Sequence, residues 1–206
     1  MAGLVLVFTA SRVWPCSNRW DQRYSFTCRR CSNMWQPIRY GAVLLLAFLL
    51  TGRLLAAEPE FIAKGAIWRY LDNGSDQGTA WQVNTFDDSS WQSGAAQLGY
   101  GDGDETTVVG YGSSSSSKYI TTYFRFQFHV QDASQYQQLQ LDLLRDDGVV
   151  VYLNGSEVLR DNMPSGAITY QTLSSSTIAG SDESLFTRHE LSSADLTLSL
   201  HKSYLI

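Results

Sequence analysis

The run from Thr121 to Val130, TTYFRFQFHV, constrains the fold of this chain more than any other feature. Its apolar side chains occupy every second position, with Phe124 and Phe128 among them, while polar residues such as Gln127 alternate with them. Successive side chains of a strand point to opposite faces of a sheet, so a period of two predicts a β-strand with one face in the core.

Other short runs, separated by clusters of Gly, Ser, Asp and Asn, also predict strands. Leu139, Leu141 and Leu143 alternate with polar residues, and weaker strand signals cover residues 66–71, 80–83, 167–173 and 185–191. Residues 87–91 predict a turn, and the glycines and serines between residues 94 and 117 predict a long loop. No long stretch has a helical period, so we predict an all-β fold, with a two-sheet sandwich favoured over a closed barrel.

The segment Val149–Leu153 runs directly into Asn154-Gly155, the dipeptide that best tolerates the two positive φ angles of a type I′ turn. We therefore predict a hairpin with a two-residue loop. In that register Leu153 faces Ser156, and the pairs that follow are Val151 with Val158 and Val149 with Arg160.

Charge is distributed unevenly along the 206 residues. Residues 1–57 contain seven Arg and one Asp, whereas residues 58–206 contain eight Lys and Arg against nineteen Asp and Glu. An acidic body argues against nucleic acid as a partner, because affinity for phosphate comes mainly from clustered Lys and Arg. The three cysteines all precede residue 40, so residues 58–206 cannot form a disulfide.

Residues 1–57 are expected to be a leader. The apolar run GAVLLLAFLL at residues 41–50 follows Arg39 and precedes TGRLLAA, which predicts a signal peptide cleaved near Ala57. Two starts stay open: a true start at Met34, or a start at Met1 with a long region before the apolar run. This run is shorter than the roughly 20 residues that span a bilayer. We therefore expect a secreted or cell-surface protein that meets the membrane only through its leader during export, with one domain over residues 58–206.

Several motifs occur in a recognisable order within the body. They are Trp68-Arg-Tyr70, Trp81, Phe86-Asp-Asp-Ser-Ser-Trp91, Leu98-Gly-Tyr-Gly101, Thr122-Tyr-Phe-Arg-Phe126, Asp146-Asp-Gly-Val-Val-Val-Tyr-Leu-Asn-Gly155 and Glu157-Val-Leu-Arg160. Over about Phe61 to Leu196 this order resembles the galactose-binding-like jelly-roll modules of secreted bacterial proteins, which are similar to modules attached to metallophosphoesterases, glycoside hydrolases and cell-surface proteins. The resemblance implies an accessory jelly-roll β-sandwich that binds carbohydrate or packs on a neighbouring protein domain, without chemistry of its own.

The end of the chain departs from that family pattern. The usual closing Gly-x-Asn turn is missing, although Leu196, Leu198 and Leu200 alternate and could replace the last strand. Two alternatives to a carbohydrate-binding module therefore stay open. One is a truncated or frame-shifted fragment of a secreted hydrolase such as a metallophosphoesterase, and the other is a structural adhesion module without a soluble ligand.

Asp146 and Asp147 are the most prominent candidate ligand-binding residues. Modules that resemble the PA14 type use such an Asp-Asp-Gly signature to hold calcium, which in turn holds sugar hydroxyls. The favoured alternative is a pair of solvated carboxylates at a turn. A second acidic loop supplies Asp102, Asp104 and Glu105 as a candidate structural Ca²⁺ site, since calcium prefers several carboxylate and carbonyl oxygens.

Aromatic and basic residues complete the candidate site. Tyr100 lies beside glycines in the long loop and is the preferred sugar contact, whereas Trp81 and Trp91 are expected to be buried in the core. Arg125 and Arg160 are candidate ligand contacts, although ion pairs with Asp146, Asp147 or Glu157 are favoured for them. No nucleophile elbow, zinc-protease motif or Walker loop occurs, so we expect no catalysis by this chain.

Overall fold

The computed structural model describes residues 59–101, 103–132, 136 and 138–192, together with the backbone of two short strands, Thr9–Ala10 and Lys202–Leu205. These residues all fall within one compact unit of the chain. Apart from Thr9–Ala10, the predicted leader with its candidate starts at Met1 and Met34 and its cleavage near Ala57 lies outside the described residues, as does the alternation of residues 196–200. No helix within the described part is long and apolar enough to cross a membrane.

Strands dominate the described residues, and the prediction of an all-β chain is confirmed. In chain order the strands are β1 (Thr9–Ala10), β2 (Ile67–Leu71), β3 (Gln92–Ala95), β4 (Leu98–Gly99), β5 (Thr107–Val108), β6 (Tyr123–Arg125), β7 (Gln127–Val130), β8 (Gln138–Leu143), β9 (Val149–Leu153), β10 (Ser156–Asp161), β11 (Thr187–Ser192) and β12 (Lys202–Leu205). Two short 3₁₀ helices, Ala80–Gln82 and Gly180–Ser184, accompany these strands within the part of the chain that the structure describes.

The described strands pair into five small sheets. β8 lies between β1 and β11, and β2 lies between β3 and β6, while β9 pairs with β10, β7 pairs with β12 and β4 pairs with β5. Pairing is antiparallel in each case except the short parallel β4–β5 pair. The sheets share one hydrophobic core, because a single cluster of buried side chains draws on β2, β4 and β6 to β9.

The alternating run that begins at Thr121 forms two strands that meet different partners. β6 pairs with β2 and β7 pairs with β12, so the run changes sheets at Phe126. Phe124, Phe128 and Val130 are buried as predicted. The prediction of an opposite polar face holds in β7 and is wrong in β6, where Tyr123 and Arg125 are buried as well.

The β9–β10 hairpin has the predicted two-residue loop. Asn154 and Gly155 have φ angles of 52° and 86°, as a type I′ turn requires, and Leu153 pairs with Ser156. Beyond that pair the predicted register is wrong, because a β-bulge between Glu157 and Leu159 inserts one extra residue into β10. Leu159 rather than Val158 therefore faces Val151.

Buried leucines and valines follow the predicted period closely in the middle of the chain. Leu139, Leu141 and Leu143 of β8 are each at most 5% exposed, and Val149 and Val151 of β9 are each 3% exposed. Burial of each such side chain stabilises the fold by roughly 1.5–3 kcal/mol relative to leaving it exposed. These two strands therefore supply the most regular part of the core.

Two of the weaker strand predictions are wrong. Residues 80–83, predicted as a strand, form the 3₁₀ helix Ala80–Gln82 and its end, and residues 167–173 have an irregular backbone with a turn. The turn at residues 87–91 is confirmed, since the backbone N–H of Ser89 donates to the side chain of Asp87. The predicted strands at residues 66–71 and 185–191 correspond to β2 and β11, each with shifted bounds.

Candidate functional site

A cleft of about 740 Å³ opens where residues 80–83 and residues 167–173 approach β6, β9 and the long loop. One wall is the 3₁₀ helix with Gly78 and Thr79, and another is the run from Ser115 to Phe124. The connection from β8 to β9 and residues between Met163 and Ser174 form the remaining walls. This volume falls within the range of cavities that hold small ligands in proteins.

Aromatic side chains line much of this cleft. Trp81 lies in edge contact with two tyrosines, with ring centroids 5.1 Å from Tyr123 and 5.7 Å from Tyr152. Its indole N–H donates to the carbonyl oxygen of Gly78 at 3.1 Å, which fixes the ring on its own turn. Among the described residues, seven aromatic side chains line the cleft: Trp81, Tyr100, Tyr119, Tyr123, Phe124, Tyr152 and Tyr170.

The prediction that both Trp81 and Trp91 are buried is confirmed for one of them. Trp91 is 5% exposed and packs against Tyr123, with centroids 6.1 Å apart. Trp81 is half-buried and lines the cleft, so the prediction for Trp81 is wrong. Trp81 belongs to the 3₁₀ helix Ala80–Gln82, none of whose residues is buried.

Tyr100 lies in the cleft, as a sugar contact would require, although its side chain is only 9% exposed. Burial, reinforced by the charges of Asp146 and Asp147, raises the pKa of Tyr100 to about 12. The shift extends the range over which the hydroxyl stays protonated, so it can act as a hydrogen-bond donor at neutral and at moderately alkaline pH.

Lys118 covers the ring of Tyr100. Its Nζ atom is 4.5 Å from the Tyr100 ring centroid and 5.4 Å from that of Tyr111, and the two tyrosine rings lie 4.9 Å apart. At these distances the ammonium is attracted to both ring faces. Lys118 is thus held by an aromatic pair at one end of the cleft.

Asp147 ties the irregular segment after β10 to the start of β9. Its Oδ1 accepts a hydrogen bond from the backbone N–H of Ile178 at 2.7 Å, and its carbonyl oxygen accepts one from Asn162 Nδ2 at 3.0 Å. The side chain is 8% exposed, so the interpretation of two solvated turn carboxylates is wrong for Asp147. Asp146, which is half-buried, lines the same cleft.

Gly148 allows this close approach of chain segments. A Cβ atom at this position would lie 2.6 Å from Met163 Sδ and 2.9 Å from the carbonyl oxygen of Asn162. A larger residue would push the segment after β10 away from β9, and with it the wall that carries Met163. The Asp-Asp-Gly signature is therefore explained in part by packing.

Arg125 does not line the cleft but holds one of its walls from behind. The side chain is 3% exposed and pairs with Asp88, at 2.7 Å between Nε and Oδ2. Its guanidinium also donates to the carbonyl oxygens of Trp81 and Val83, and it lies 5.1 Å from the centroid of Phe86. Arg125 thus forms an ion pair as predicted, but with Asp88 and not with Asp146, Asp147 or Glu157. It positions the cleft wall at residues 81–83.

Arg160 also lies outside the cleft lining. Its Nε and Nη2 atoms each donate to an oxygen of the Glu157 carboxylate at 2.8 Å, and Nη1 donates to the carbonyl oxygen of Gly166 at 3.0 Å. The ion pair with Glu157 is among those predicted, and it is confirmed. Hydrogen bonding to Glu157 raises the pKa of Arg160 above its usual value.

The acidic loop proposed for calcium lies apart from the cleft. Asp102 falls outside the described residues, while Asp104 accepts a hydrogen bond from Gln97 and Glu105 accepts one from the backbone N–H of Gly103. Within the described residues, no group of three or more His, Cys, Asp or Glu side chains is placed to hold a metal ion. Calcium at this loop stays a prediction, and calorimetric titration after chelation would test it.

Sequence reasoning missed most of the cleft. Tyr119, Tyr170 and Lys118 line it outside the quoted motifs, and Tyr170 sits in a segment that was predicted as a strand. Tyr152 also lines it and stands within the motif of residues 146–155, but it was not singled out as a site residue. The clearest available signal was the density of tyrosine in residues 100–170. Tyr100, Asp146 and Asp147 are the predicted site residues that the structure brings together.

Comparisons with known proteins identify no relative. No family model matches the chain, and neither a curated protein nor a solved structure matches it.

Proposed function

We propose that residues 58–206 form a secreted jelly-roll module of the galactose-binding-like type whose cleft binds carbohydrate without turning it over. The observation that carries this proposal is the combination, in one cleft, of aromatic rings with protonated hydroxyls and carboxylates. Flat aromatic faces pack against the C–H groups of a sugar ring, and a few well-placed polar groups fix its orientation.

The polar groups suit the hydroxyl groups of a sugar. The Tyr100 hydroxyl, whose pKa is raised to about 12, would donate a hydrogen bond to a sugar oxygen. Asp146 lines the cleft beside it and offers carboxylate oxygens as acceptors. Hydrogen bonds to charged groups contribute about 1.5–3 kcal/mol, enough to select one orientation of a bound ring.

The jelly-roll assignment rests on the shared core and on the motifs that carry the resemblance. Small antiparallel sheets around one hydrophobic cluster are the expected result of a sandwich whose strands change partners, as the run through β6 and β7 does at Phe126. The resemblance adds secretion and the role of an accessory module.

The absence of catalysis is also part of the proposal. Two carboxylates hydrolyse a glycoside when they flank the bond about 5–10 Å apart. Asp146 and Asp147 are adjacent in sequence, and Asp147 is engaged by Ile178 and Asn162. Asp76, the third carboxylate among the described lining residues, accepts the backbone N–H of Gly78 at 2.8 Å. Neither His129 nor His189, the histidines within the described part of the chain, lines the cleft.

A glycan array followed by calorimetric titration tests the proposal. The full chain should bind at least one class of oligosaccharide, and the sugar should be recovered intact after long incubation. Trp81→Ala should weaken binding about tenfold, because it removes an aromatic wall of the cleft.

Phe186→Ala is the matched control, since Phe186 is an aromatic side chain that is 40% exposed and lies outside the cleft lining. It should bind as the unchanged chain does. A blank array, or equal affinities for Trp81→Ala and the unchanged chain, would contradict carbohydrate binding in this cleft.

A further inference from the structure

The tripeptide Asn-Gly-Ser occurs twice in the chain, at Asn73–Ser75 and at Asn154–Ser156. In such a sequence the backbone nitrogen of the glycine can attack the side-chain amide of the asparagine, because glycine has no Cβ to obstruct the approach. We infer that Asn73 is a site of spontaneous deamidation in the folded protein and that Asn154 is protected from it. Since the two tripeptides are identical, a difference between their rates must come from the fold.

The reaction at Asn73 replaces an amide by an imide and then by an acid. The Gly74 backbone nitrogen loses its proton to base and forms a bond to Asn73 Cγ. The bond from Cγ to Nδ2 breaks, and Nδ2 takes up a proton and leaves as ammonia. Water then opens the cyclic succinimide at either of its carbonyl carbons, which gives aspartate or isoaspartate without any oxidant or reductant.

Two hydrogen-bond donors already contact the oxygen that gains negative charge in this attack. The backbone N–H of Ser75 donates to Asn73 Oδ1 at 3.0 Å, and the Ser75 hydroxyl donates to the same oxygen at 2.6 Å. Gln77 Nε2 donates in turn to the Ser75 hydroxyl at 2.8 Å, which polarises that hydroxyl further. Donors that point at a developing oxyanion lower the barrier to attack on a carbonyl group.

The position of Asn73 leaves it open to base and water. Its side chain is exposed, and it lies beyond the end of β2 at Leu71, outside the described strand pairs. Gly74 has a φ angle of 72°, and a Cβ atom at this position would lie 2.3 Å from Tyr119 Cδ1. The fold therefore requires glycine here, although glycine makes the preceding asparagine labile.

Asn154 has the same neighbours in sequence but is held by the β9–β10 hairpin. Leu153 pairs with Ser156 across the loop, so the strand ladder fixes both of its ends. Asn154 is half-buried, and its Oδ1 accepts a hydrogen bond from Asn84 Nδ2 at 3.1 Å. Ring closure requires the Gly155 nitrogen to move towards the Asn154 side chain, so the hairpin loop must first open.

Modification at Asn73 would also affect a wall of the cleft. Isoaspartate inserts an extra methylene into the backbone before Gly74, where the Tyr119 ring packs, and Tyr119 lines the cleft. The preceding residue, Asp72, accepts hydrogen bonds from the backbone N–H of Gly110 and from Gln92 Nε2, which tie the long loop to the end of β2. Isoaspartate at residue 73 would therefore displace the Tyr119 wall and add a negative charge beside Asp72.

Incubation of the purified full chain at mildly alkaline pH, followed by peptide mapping with mass spectrometry, measures both rates in one sample. The same chain unfolded in urea gives the rate of each site without structure. In the folded chain, Asn73 should react no more than about threefold more slowly than when unfolded, because its turn is open to base and water. Asn154 should react at least about tenfold more slowly than when unfolded, because loop opening must precede its reaction.

Ser75→Ala and Ser156→Ala form a matched pair, since each removes the hydroxyl two residues after an asparagine. Ser75→Ala should slow the reaction at Asn73 in the folded chain by about tenfold relative to the unfolded rate of the same variant, because a donor to the developing oxyanion is lost. The Ser156 side chain is exposed, and Ser156→Ala should leave the relative rate at Asn154 unchanged.

Equal rates at the two sites of the folded chain, or a faster reaction at Asn154, would overturn the inference. A relative rate at Asn73 that Ser75→Ala leaves unchanged would overturn it as well. Circular dichroism melting verifies that each variant stays folded during incubation. None of these outcomes depends on whether the cleft binds carbohydrate.

Discussion

The strand around Leu143 and the turn around Trp81 use large apolar side chains in different ways. Leu143 is fully buried in β8, where alternation places every second side chain in the core. Trp81 is half-buried on a 3₁₀ turn, where its ring lines a cleft and its backbone is held by polar contacts from Arg125. Burial thus stabilises the first region, whereas hydrogen bonds hold the second in place and leave its rings accessible.

The largest effect on the free energy of unfolding is expected from truncating a buried leucine, compared with truncating an exposed one. Leu143→Ala should lower the free energy of unfolding by about 2–5 kcal/mol, because it removes buried methyl groups and leaves a cavity. Leu173→Ala makes the same change at a side chain that is 66% exposed on the cleft, and it should change stability by no more than about 0.5 kcal/mol. Urea denaturation measures both free energies of unfolding. Equal decreases for the two variants would contradict the view that burial stabilises the β8 region and not the cleft.

A somewhat smaller loss is expected at Arg125. Arg125→Met leaves Asp88 and the carbonyl oxygens of Trp81 and Val83 without their donor, which should cost about 3 kcal/mol. The control Arg160→Met breaks an exposed ion pair with Glu157 and should cost far less stability than Arg125→Met, because exposed ion pairs contribute little.

Arg125→Met also distinguishes the cleft wall from the core, because the wall should become more mobile while the core keeps its packing. Hydrogen exchange should therefore increase at residues 79–84 more than in β8. If exchange instead increased equally in both regions, Arg125 would be part of the core and not an anchor of the wall.

Alkaline pH should destabilise the cleft through Tyr100. The pKa of this side chain is raised from 10.0 to about 12 in the folded protein, so the folded chain retains a proton that the unfolded chain releases. Stability is therefore complete below about pH 10 and falls by about 2–3 kcal/mol as the pH rises towards 12. Tyr100→Phe should remove this part of the pH dependence, and Tyr119→Phe, at an exposed tyrosine of the same cleft, should retain it.

Denaturation at a series of alkaline pH values, with tyrosinate absorbance recorded in parallel, measures the effect. If the stability of Tyr100→Phe fell with pH as steeply as that of the unchanged chain, ionisation of Tyr100 would not be the cause of the alkaline loss of stability.

The regular part of this comparison was predictable from the sequence. The period of two in residues 138–143 and the Asn154-Gly155 turn depend on local geometry, and both are observed. The bulge in β10 was not predictable, because it depends on how Leu159 and Val158 pack against the core after the sheets have assembled.

The cleft was less accessible to sequence reasoning. Asp146, Asp147 and Tyr100 were found because they stand in short motifs, but the partners of Arg125 lie about forty residues away in sequence. Such contacts depend on tertiary folding, which no local pattern encodes. Residues 80–83 also have a strand-like composition, and tertiary contacts override that preference.

Nuclear magnetic resonance of the tryptophan indole N–H groups tests whether the cleft beside Trp81 binds carbohydrate. Trp81 lines the cleft, whereas Trp68 and Trp91 are buried in the body at 1% and 5% exposure. Titration with an oligosaccharide that binds should shift the Trp81 signal, assigned by its loss in Trp81→Phe, and leave the signals of Trp68 and Trp91 nearly in place. A saturating titration that leaves the Trp81 signal unmoved would contradict the claim that this cleft binds carbohydrate.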